Sequence, residues 1–229
     1  MTDDERPGLR PTLLAAGLFV LVVLTLPLGA LVRGKWRPLI RFDSRVETSL
    51  HSSAVHHDWL GTAAKVLTQL GAPILIELAT VLLVIVLIRL RRRRSALFLA
   101  ACVAGAYVLS TTGKLVVDRA RPVFPDPISH ARGASFPSGH ATGSAAFYLA
   151  VAVVLLSMQR PRRGLLLAAA FVVPLVVAAT RVVLGVHYVS DVTAGLLIGW
   201  GWTAACTALF TAWRAQEGRP VEPLEEGIE

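Results

Sequence analysis

Only two of the 229 residues are cysteine. Cys102 and Cys206 both lie inside apolar runs, which excludes a disulfide framework and leaves two small buried side chains. Charge is scarce as well, at 17% of residues against about 25% in a typical soluble domain. With 54% hydrophobic residues and a mean hydropathy of +0.61, an ordinary soluble domain is excluded. No glycine-rich loop opens a helix in the setting that nucleotide binding requires, no internal repeat recurs and no heptad is sustained, which sets aside nucleotide-loop folds, solenoids and coiled coils. The first apolar stretch, Leu13 to Val32, follows a mixed-charge start (Asp3, Asp4, Glu5, Arg6, Arg10) and lacks a convincing cleavage site. It is expected to span a membrane, not to be a signal peptide.

A bilayer core takes about 20 apolar residues per helix. Windows of that size fall near 12–32, 73–90, 95–113, 139–158, 164–182 and 191–213. The expected fold is therefore all-α, a polytopic membrane protein with six transmembrane helices forming one domain over 12–213, with a short segment 1–11 before it and a flexible tail 214–229 after it. Pro27 and Pro174 interrupt two spans, which neighbouring helices can accommodate in lipid. Of Trp200, Trp202 and Trp213, only Trp213, beside Arg214, has the position of an interface anchor. The formal charge of +8 resembles that of a nucleic-acid binder, but many of the basic residues sit in short runs beside apolar segments, as membrane-topology signals do, and no nucleic-acid partner is expected. Arg89 with Arg91 to Arg94, and Arg160 with Arg162 and Arg163, mark two cytoplasmic loops. Both termini are then cytoplasmic and the protein resides in the cell inner membrane. Arg33, Lys35, Arg37, Arg41 and Arg45 would lie outside, against the rule, but among acidic residues that the Arg91 to Arg94 block lacks.

The segment 33–72 mixes apolar and polar residues from 45 to 70 in a way that suits an interfacial helix on the outer side. His51, His56 and His57 invite a metal reading, but their spacing matches no recognised ligand pattern, and neither a metal nor another cofactor is expected. Glu77, near the start of the second span, is a carboxylate that should face protein or water.

Three clusters in 114–191 carry chemistry: Lys114 to Pro122, then Pro137-Ser138-Gly139-His140, then Arg181 to Asp191. Phosphoryl transfer needs neutralised oxygens, an in-line nucleophile and an acid for the leaving group. Lys114, Arg121 and Arg181 are candidates to surround a phosphate, the arginines through bidentate bonds. Ser138 and Gly139 precede the fourth span, where a helix start would aim free N–H groups at an anion, with the serine hydroxyl as a further donor and glycine allowing close approach. His187 and Asp191, four apart, share a helix face. A carboxylate on Nδ1–H leaves Nε2 unprotonated as a nucleophile, with His140 as general acid. The reverse assignment, His140 attacking, has no comparable local carboxylate. Taken singly, an Arg-Pro pair is an ordinary turn and a Ser-Gly an ordinary cap. Their ordered co-occurrence at span ends on one side is the informative feature. Asp118, Arg119 and Asp126 receive no role.

These residues resemble the membrane-bound type 2 phosphatidic acid phosphatases, relatives of bacterial acid phosphatases and vanadium haloperoxidases. The family signature K-x6-R-P, P-S-G-H and S-R-x5-H-x3-D matches Lys114 to Pro122, Pro137 to His140 and Arg181 to Asp191, with Thr180 in place of the usual serine. The resemblance implies a metal-independent lipid phosphatase: His187 attacking to form a phosphohistidine, Asp191 orienting it, His140 protonating the leaving group and then activating water, and Lys114, Arg121, Ser138, Gly139 and Arg181 holding phosphate oxygens. It implies a membrane lipid phosphate as substrate, the site facing outward. Undecaprenyl diphosphate is the leading candidate, with phosphatidylglycerophosphate and phosphatidic acid beside it. A lipid phosphotransferase using the same histidines, or a non-catalytic lipid-binding or translocating protein, are the alternatives. A haloperoxidase is disfavoured because the relatives with that chemistry are soluble.

Overall fold

The computed structural model describes residues 9–158 and 162–216, and these are all helix and connecting loop. The first span runs through α1 (Leu9–Phe19), a wider π-helical segment (Val20–Thr25) and α2 (Leu26–Arg33). The π segment falls just before Pro27, whose ring cannot follow a regular turn and whose missing N–H frees a carbonyl. After it come α3 (Arg37–His56), α4 (Asp58–Leu67), a 3-10 turn (Thr68–Gly71) and α5 (Pro73–Arg89). The bundle is completed by α6 (Arg93–Val117), α7 (Gly139–Ser157), α8 (Arg163–Val183) and α9 (Val189–Gln216).

Among the described residues six stretches are long and apolar enough to cross a bilayer, ending at Arg33, Arg89, Val117, Ser157, Val183 and Phe210. The expected windows are recovered, with one difference. The second stretch begins at Asp58 and is broken at Ala72, which is held extended by the following Pro73. Because successive spans alternate in direction, the ends of α2, α6 and α8 and the starts of α7 and α9 share one face of the membrane. The Arg89 to Arg94 block and the α7–α8 connection lie at the other.

Burial separates core from shell. The spans of α7 and α9 are 56% and 61% buried, whereas the first is 17% buried, so α7 and α9 form the axis and the first span is a lipid-facing flank. The axis is close because it is made of small residues. Gly195 and Gly199 on α9 face Ala141, Thr142 and Ala145 on α7, and a Cβ added to Gly199 would stand 2.6 Å from the Thr142 carbonyl oxygen. Without a hydrophobic force between helices in lipid, such backbone approach is what holds them. A similar crossing joins the first span to α9, where a Cβ on Gly17 would lie 2.7 Å from the Gly201 carbonyl. Trp200 and Trp202 donate their indole N–H groups to Ala170 and Ala101, tying α9 to α8 and α6. Cys102 and Cys206 are free and buried. Arg214 is in α9, and the rest of the expected tail from 217 onward and the Trp213 side chain lie outside the described residues.

The segment expected to hold one interfacial helix holds two, parted at His57 (φ −129°, ψ 90°). The inner face of α3 is also polar, although Leu39 and Leu50 lie half-buried against the core beside it. The buried residues of α3 are Asp43, Glu47, His51 and Ala54, while Phe42 and Val55 are exposed, as are Trp59 and Val66 of α4. Spacing of four keeps the three ionisable groups on one face, which is turned inward because their partners lie there.

Replacing Gly199 by valine drives a branched side chain into the Thr142 backbone, and overpacking of this kind costs about 1–3 kcal/mol. Gly199→Val is expected to lower the unfolding temperature of the detergent-solubilised protein. Gly164→Val, where nothing lies within 4 Å, leaves it unchanged. Equal unfolding temperatures for the two would show that α7 and α9 do not meet at Gly199.

Candidate active site

The loop 118–138 carries the first two clusters and is held at both ends by cations. Helix α6 stops at Asp118, which adopts a left-handed conformation (φ 45°, ψ 49°). In the last turn of α6, Lys114 Nζ donates to the carbonyls of Ala134 (3.0 Å) and Pro137 (2.8 Å), leaving one donor free. Arg121 uses all five donors. Nε reaches Gly133 O, Nη2 reaches Arg132 O and Ala134 O, and Nη1 reaches Val186 O (2.8 Å) and His187 Nε2 (3.0 Å). Burial lowers the Arg121 pKa from its ordinary value, partly offset by Asp191, but a guanidinium remains charged.

That last bond fixes a tautomer. Arg121 can only donate, so Nε2 of His187 accepts and the ring proton sits on Nδ1. Nδ1 faces Asp191 Oδ2 across 3.5 Å, too long for a firm hydrogen bond. Burial pushes the His187 pKa down to about 4, with Asp191 opposing the shift, so near neutrality the ring is uncharged. Asp191 is fully buried. Its Oδ2 accepts the Tyr188 N–H at the start of α9 (2.9 Å), as a carboxylate in the first turn of a helix should. Its Oδ1 accepts from Arg119 Nη1 at 2.8 Å.

Arg119 goes on to donate through Nη1 to Ser190 Oγ (2.7 Å) and through Nη2 to Asp43 Oδ2 (2.8 Å), with its guanidinium stacked 3.8 Å over the Tyr188 ring. Asp43, fully buried on α3, also accepts the Ser190 N–H (3.0 Å) and the Ser190 hydroxyl. Neither Asp43 nor Arg119 was picked out by sequence reasoning. The available signals were a carboxylate in an otherwise basic stretch beside a span, and an arginine two residues before Arg121.

The second cluster supplies a helix start. Ser138 stands at the N-cap of α7 but makes no side-chain cap bond. Its hydroxyl is buried with no partner among protein atoms, as is Nε of Arg181, whose Nη1 donates to Thr68 Oγ1 (3.1 Å). A polar atom left so costs about 1–3 kcal/mol. Around Gly139 nothing lies within 4 Å of where a Cβ would be, so the α7 N-terminus opens onto free space. His140, the next residue, lies within electrostatic reach of Arg181, His187, Arg121 and Lys114. All eight expected site residues therefore gather at one end of the bundle, around the starts of α7 and α9.

The other candidates disperse. His51 is buried, stacks on Phe124 at 3.7 Å and has Nε2 3.1 Å from the Asp126 carbonyl. Exposed His56 and His57 each bond a carbonyl one turn back on α3, and among the described residues no cluster of metal-ligating side chains forms. Glu77, Asp118 and Asp126 are exposed. Glu47 is buried with Oε1 unpartnered, and burial raises its pKa to about 7.

A membrane-embedded helical bundle with an anion cradle between two helix starts defines a class, and comparison places the chain within it. Residues 95–215 match the PAP2 superfamily, and the chain belongs to that superfamily. It is 28% identical over 148 residues to phosphatidylglycerophosphatase B of Bacillus subtilis strain 168, covering 63% of this chain and 72% of that one. It is 37% identical over 124 residues to lipid A 1-phosphatase of a Rhizobium etli strain, half of each chain being matched. The crystal structure of a transmembrane PAP2-type phosphatidylglycerolphosphate phosphatase from Bacillus subtilis superposes with a TM-score of 0.73, covering 88% of this chain and 97% of the other. At 22% identity that likeness shows the fold.

His187 and Glu47, both outside the spans, act in opposite directions on stability. His187, at about 4 when folded and about 6.5 unfolded, contributes fully above pH 6.5, and that contribution is lost as pH falls toward 4. Glu47, raised from 4.5 to about 7, contributes fully below pH 4.5 and loses its contribution as pH rises through 7. Between pH 7 and 5 the two offset each other. Glu47→Gln is expected to steepen the fall of the unfolding temperature on acidification across that range. An unaltered slope would place Glu47 in contact with water.

Proposed function

We propose that this membrane phosphatase of the PAP2 superfamily hydrolyses a terminal phosphate or diphosphate of a membrane lipid through a phosphohistidine on His187, without a metal. One observation carries the reading: the buried, neutral His187 presents an unprotonated Nε2 to Arg121 beside two orphaned donors and an open helix N-terminus. In the attack, the Nε2 lone pair bonds to phosphorus, the bond from phosphorus to the leaving oxygen breaks, and His140 gives that oxygen a proton. Water then attacks phosphorus and passes a proton to His140, and the bond from phosphorus to Nε2 breaks with its electron pair returning to the ring, which frees phosphate and restores neutral His187. Arg121 must exchange its His187 contact for phosphate oxygens as the substrate enters. Ser138 Oγ, Arg181 Nε, the free Lys114 donor and the α7 N–H groups at Gly139 are positioned to take the rest. Asp191 stabilises the proton on Nδ1 as the ring becomes cationic. Arg119 and Asp43 act one step removed, as positioning residues that hold the Asp191 carboxylate.

The substrate is read as a lipid because the cage sits at the end of a membrane bundle and the relatives named above are phosphatases of lipid phosphates. Within that class our leading candidate is a polyprenyl diphosphate, ahead of phosphatidylglycerophosphate and phosphatidic acid. Phosphate release from a panel of these three by detergent-purified protein is expected to survive EDTA and to vanish in His187→Ala. Arg121→Ala or Arg181→Ala should cost on the order of 10²-fold or more in turnover. Asp43→Asn should lower kcat and displace its acid limb while leaving KM near the wild-type value. Near-normal turnover by a folded His187→Ala protein would remove the mechanism, and no release from any prenyl diphosphate would remove that substrate.

The orientation follows from loop charge. Arg89 and Arg91 to Arg94 form an unrelieved basic block at the end opposite the site, so that end is read as cytoplasmic and the site as extracytoplasmic, with the segment 33–72 on the outer side and both termini inside. A reporter fused after Arg94 is expected to be inaccessible from outside the cell. Its exposure would invert the assignment.

A further inference from the structure

Beside the phosphate cage, at the same end of the bundle, lies a second cavity of about 590 Å³ between the α2–α3 junction, the end of α6 and the start of α9. None of Lys114, Arg121, His140, Arg181 or His187 lines it. Arg119 and Tyr188 do, and since both also contact the Asp191 region they form the partition between the two spaces. The remaining charged lining is Arg33, Lys35, Arg37 and Arg41 against the single carboxylate of Asp118.

Three features distinguish this cavity from an ordinary solvated basic face. First, Arg33, Lys35, Arg37 and Arg41 are exposed and none makes an ion pair or side-chain hydrogen bond with a described residue, so four cations converge on a space that holds one carboxylate, Asp118, and pair with none. Second, the 20-residue α3 starts here with Trp36 at its N-cap and no side-chain cap bond. Arg37, the first residue of that helix, lines the cavity, so the positive end of the helix dipole is added to the same space. Lys35 is held in the left-handed region at φ 52°, a conformation that costs a lysine energy and that closes the turn between α2 and α3. Third, an apolar groove of about 470 Å³ shares Arg33 and Val117 with the cavity and runs between the first span and α6, past Leu26, Leu21, Leu109 and Val116. It lies within the membrane-crossing stretches Leu14–Arg33 and Arg93–Val117.

A site that is cationic at the membrane surface and apolar where it enters the bilayer matches one kind of occupant, an amphiphile with an anionic head and a hydrocarbon tail. A soluble anion has no use for the groove, and a zwitterionic headgroup would leave four cations poorly compensated. These cations also oppose the topology rule on the orientation read above, a cost that a lipid contact explains. We propose that the cavity and groove form a binding site for an anionic phospholipid of the surrounding leaflet, its phosphodiester among Arg33, Lys35, Arg37 and Arg41 and an acyl chain along α6. The site is separate from the phosphate cage, a distinction that rests on the proposed function. Occupancy ties the α2–α3 junction to α6, and so fastens the helix that carries Asp43.

The test uses the full chain in a neutral detergent, with short-chain phosphatidylglycerol or phosphatidylcholine added and the unfolding temperature followed. Binding to the folded state alone raises that temperature. The expected result is a rise of a few degrees with phosphatidylglycerol only, abolished in Arg37→Gln/Arg41→Gln, which unfolds like wild type without lipid and keeps its KM for lipid phosphate. Equal responses to both lipids, or a response that survives the double substitution, would overturn the proposal. So would an equal rise with inorganic phosphate, which would make this a site for soluble anions, or a several-fold rise in KM without added lipid, which would make it the substrate's entrance. The unfolding readout does not depend on turnover, so failure of the phosphatase reading leaves it intact.

Discussion

The position of Asp191 is the constraint on which the rest of the site depends. One guanidinium, Arg119, bridges it to Asp43 with contacts of 2.8 Å on either side, and both carboxylates are fully buried. Two buried carboxylates near one another would ordinarily repel, and one would take a proton. A shared arginine, the Ser190 and Tyr188 amides and the Ser190 hydroxyl satisfy them instead. Asp191 is thereby kept as an ionised acceptor behind Nδ1 of His187, and the opposite ring nitrogen is kept unprotonated without any direct contact from α3.

The bridge also accounts for the polar inner face of α3. A helix lying against a bundle normally turns its leucines inward, as Leu39 and Leu50 do here, and keeps its acidic groups outside. Here Asp43, Glu47 and His51 turn inward because the surface they meet is polar: Arg119 and Ser190 for Asp43, and the Asp126 carbonyl for His51. With Asp43 tied to Arg119 and Ser190, α3 serves as a strut for the site.

The spans were legible because a bilayer imposes length and apolarity on every helix that crosses it, and those are properties of composition. The three motifs were legible because each is local: an i, i+4 pair such as His187 and Asp191, a helix start such as Ser138-Gly139, or a basic pair at a span end. Asp43 was hidden because its role is set by Arg119 and Ser190, separated from it by 76 and 147 positions, and no local pattern announces such a pairing. Helix α3 was less legible for a related reason. The segment was expected to hold one interfacial helix, and no local pattern announces the break at His57 or the burial of Asp43, Glu47 and His51. Arg121 was expected to hold phosphate oxygens, yet all five of its donors are used by the protein. Its task includes shaping the 132–134 turn, which no spacing rule reveals.

Charge balance links the site to its ligand. Lys114, Arg119, Arg121 and Arg181 gather at this end of the bundle, against two buried carboxylates, Asp43 and Asp191, of which Arg119 is paired with both. The three remaining cations have no acidic partner among the described residues; their hydrogen bonds go to carbonyls, to Thr68 and to His187 Nε2. Carbonyl dipoles orient such groups but do not cancel their field, and in a low-dielectric setting an uncompensated cluster is expensive. A phosphate carrying about two negative charges relieves that cost most where its oxygens meet Ser138 Oγ and Arg181 Nε, the donors the protein leaves unpaired. The same excess opposes protonation of His187 in the resting state, since Arg121 and Arg181 both push its pKa down. Anion binding therefore changes the ring itself: once the dianion offsets the cations, a positive charge on His187 becomes tolerable, as the proposed attack on phosphorus through Nε2 requires.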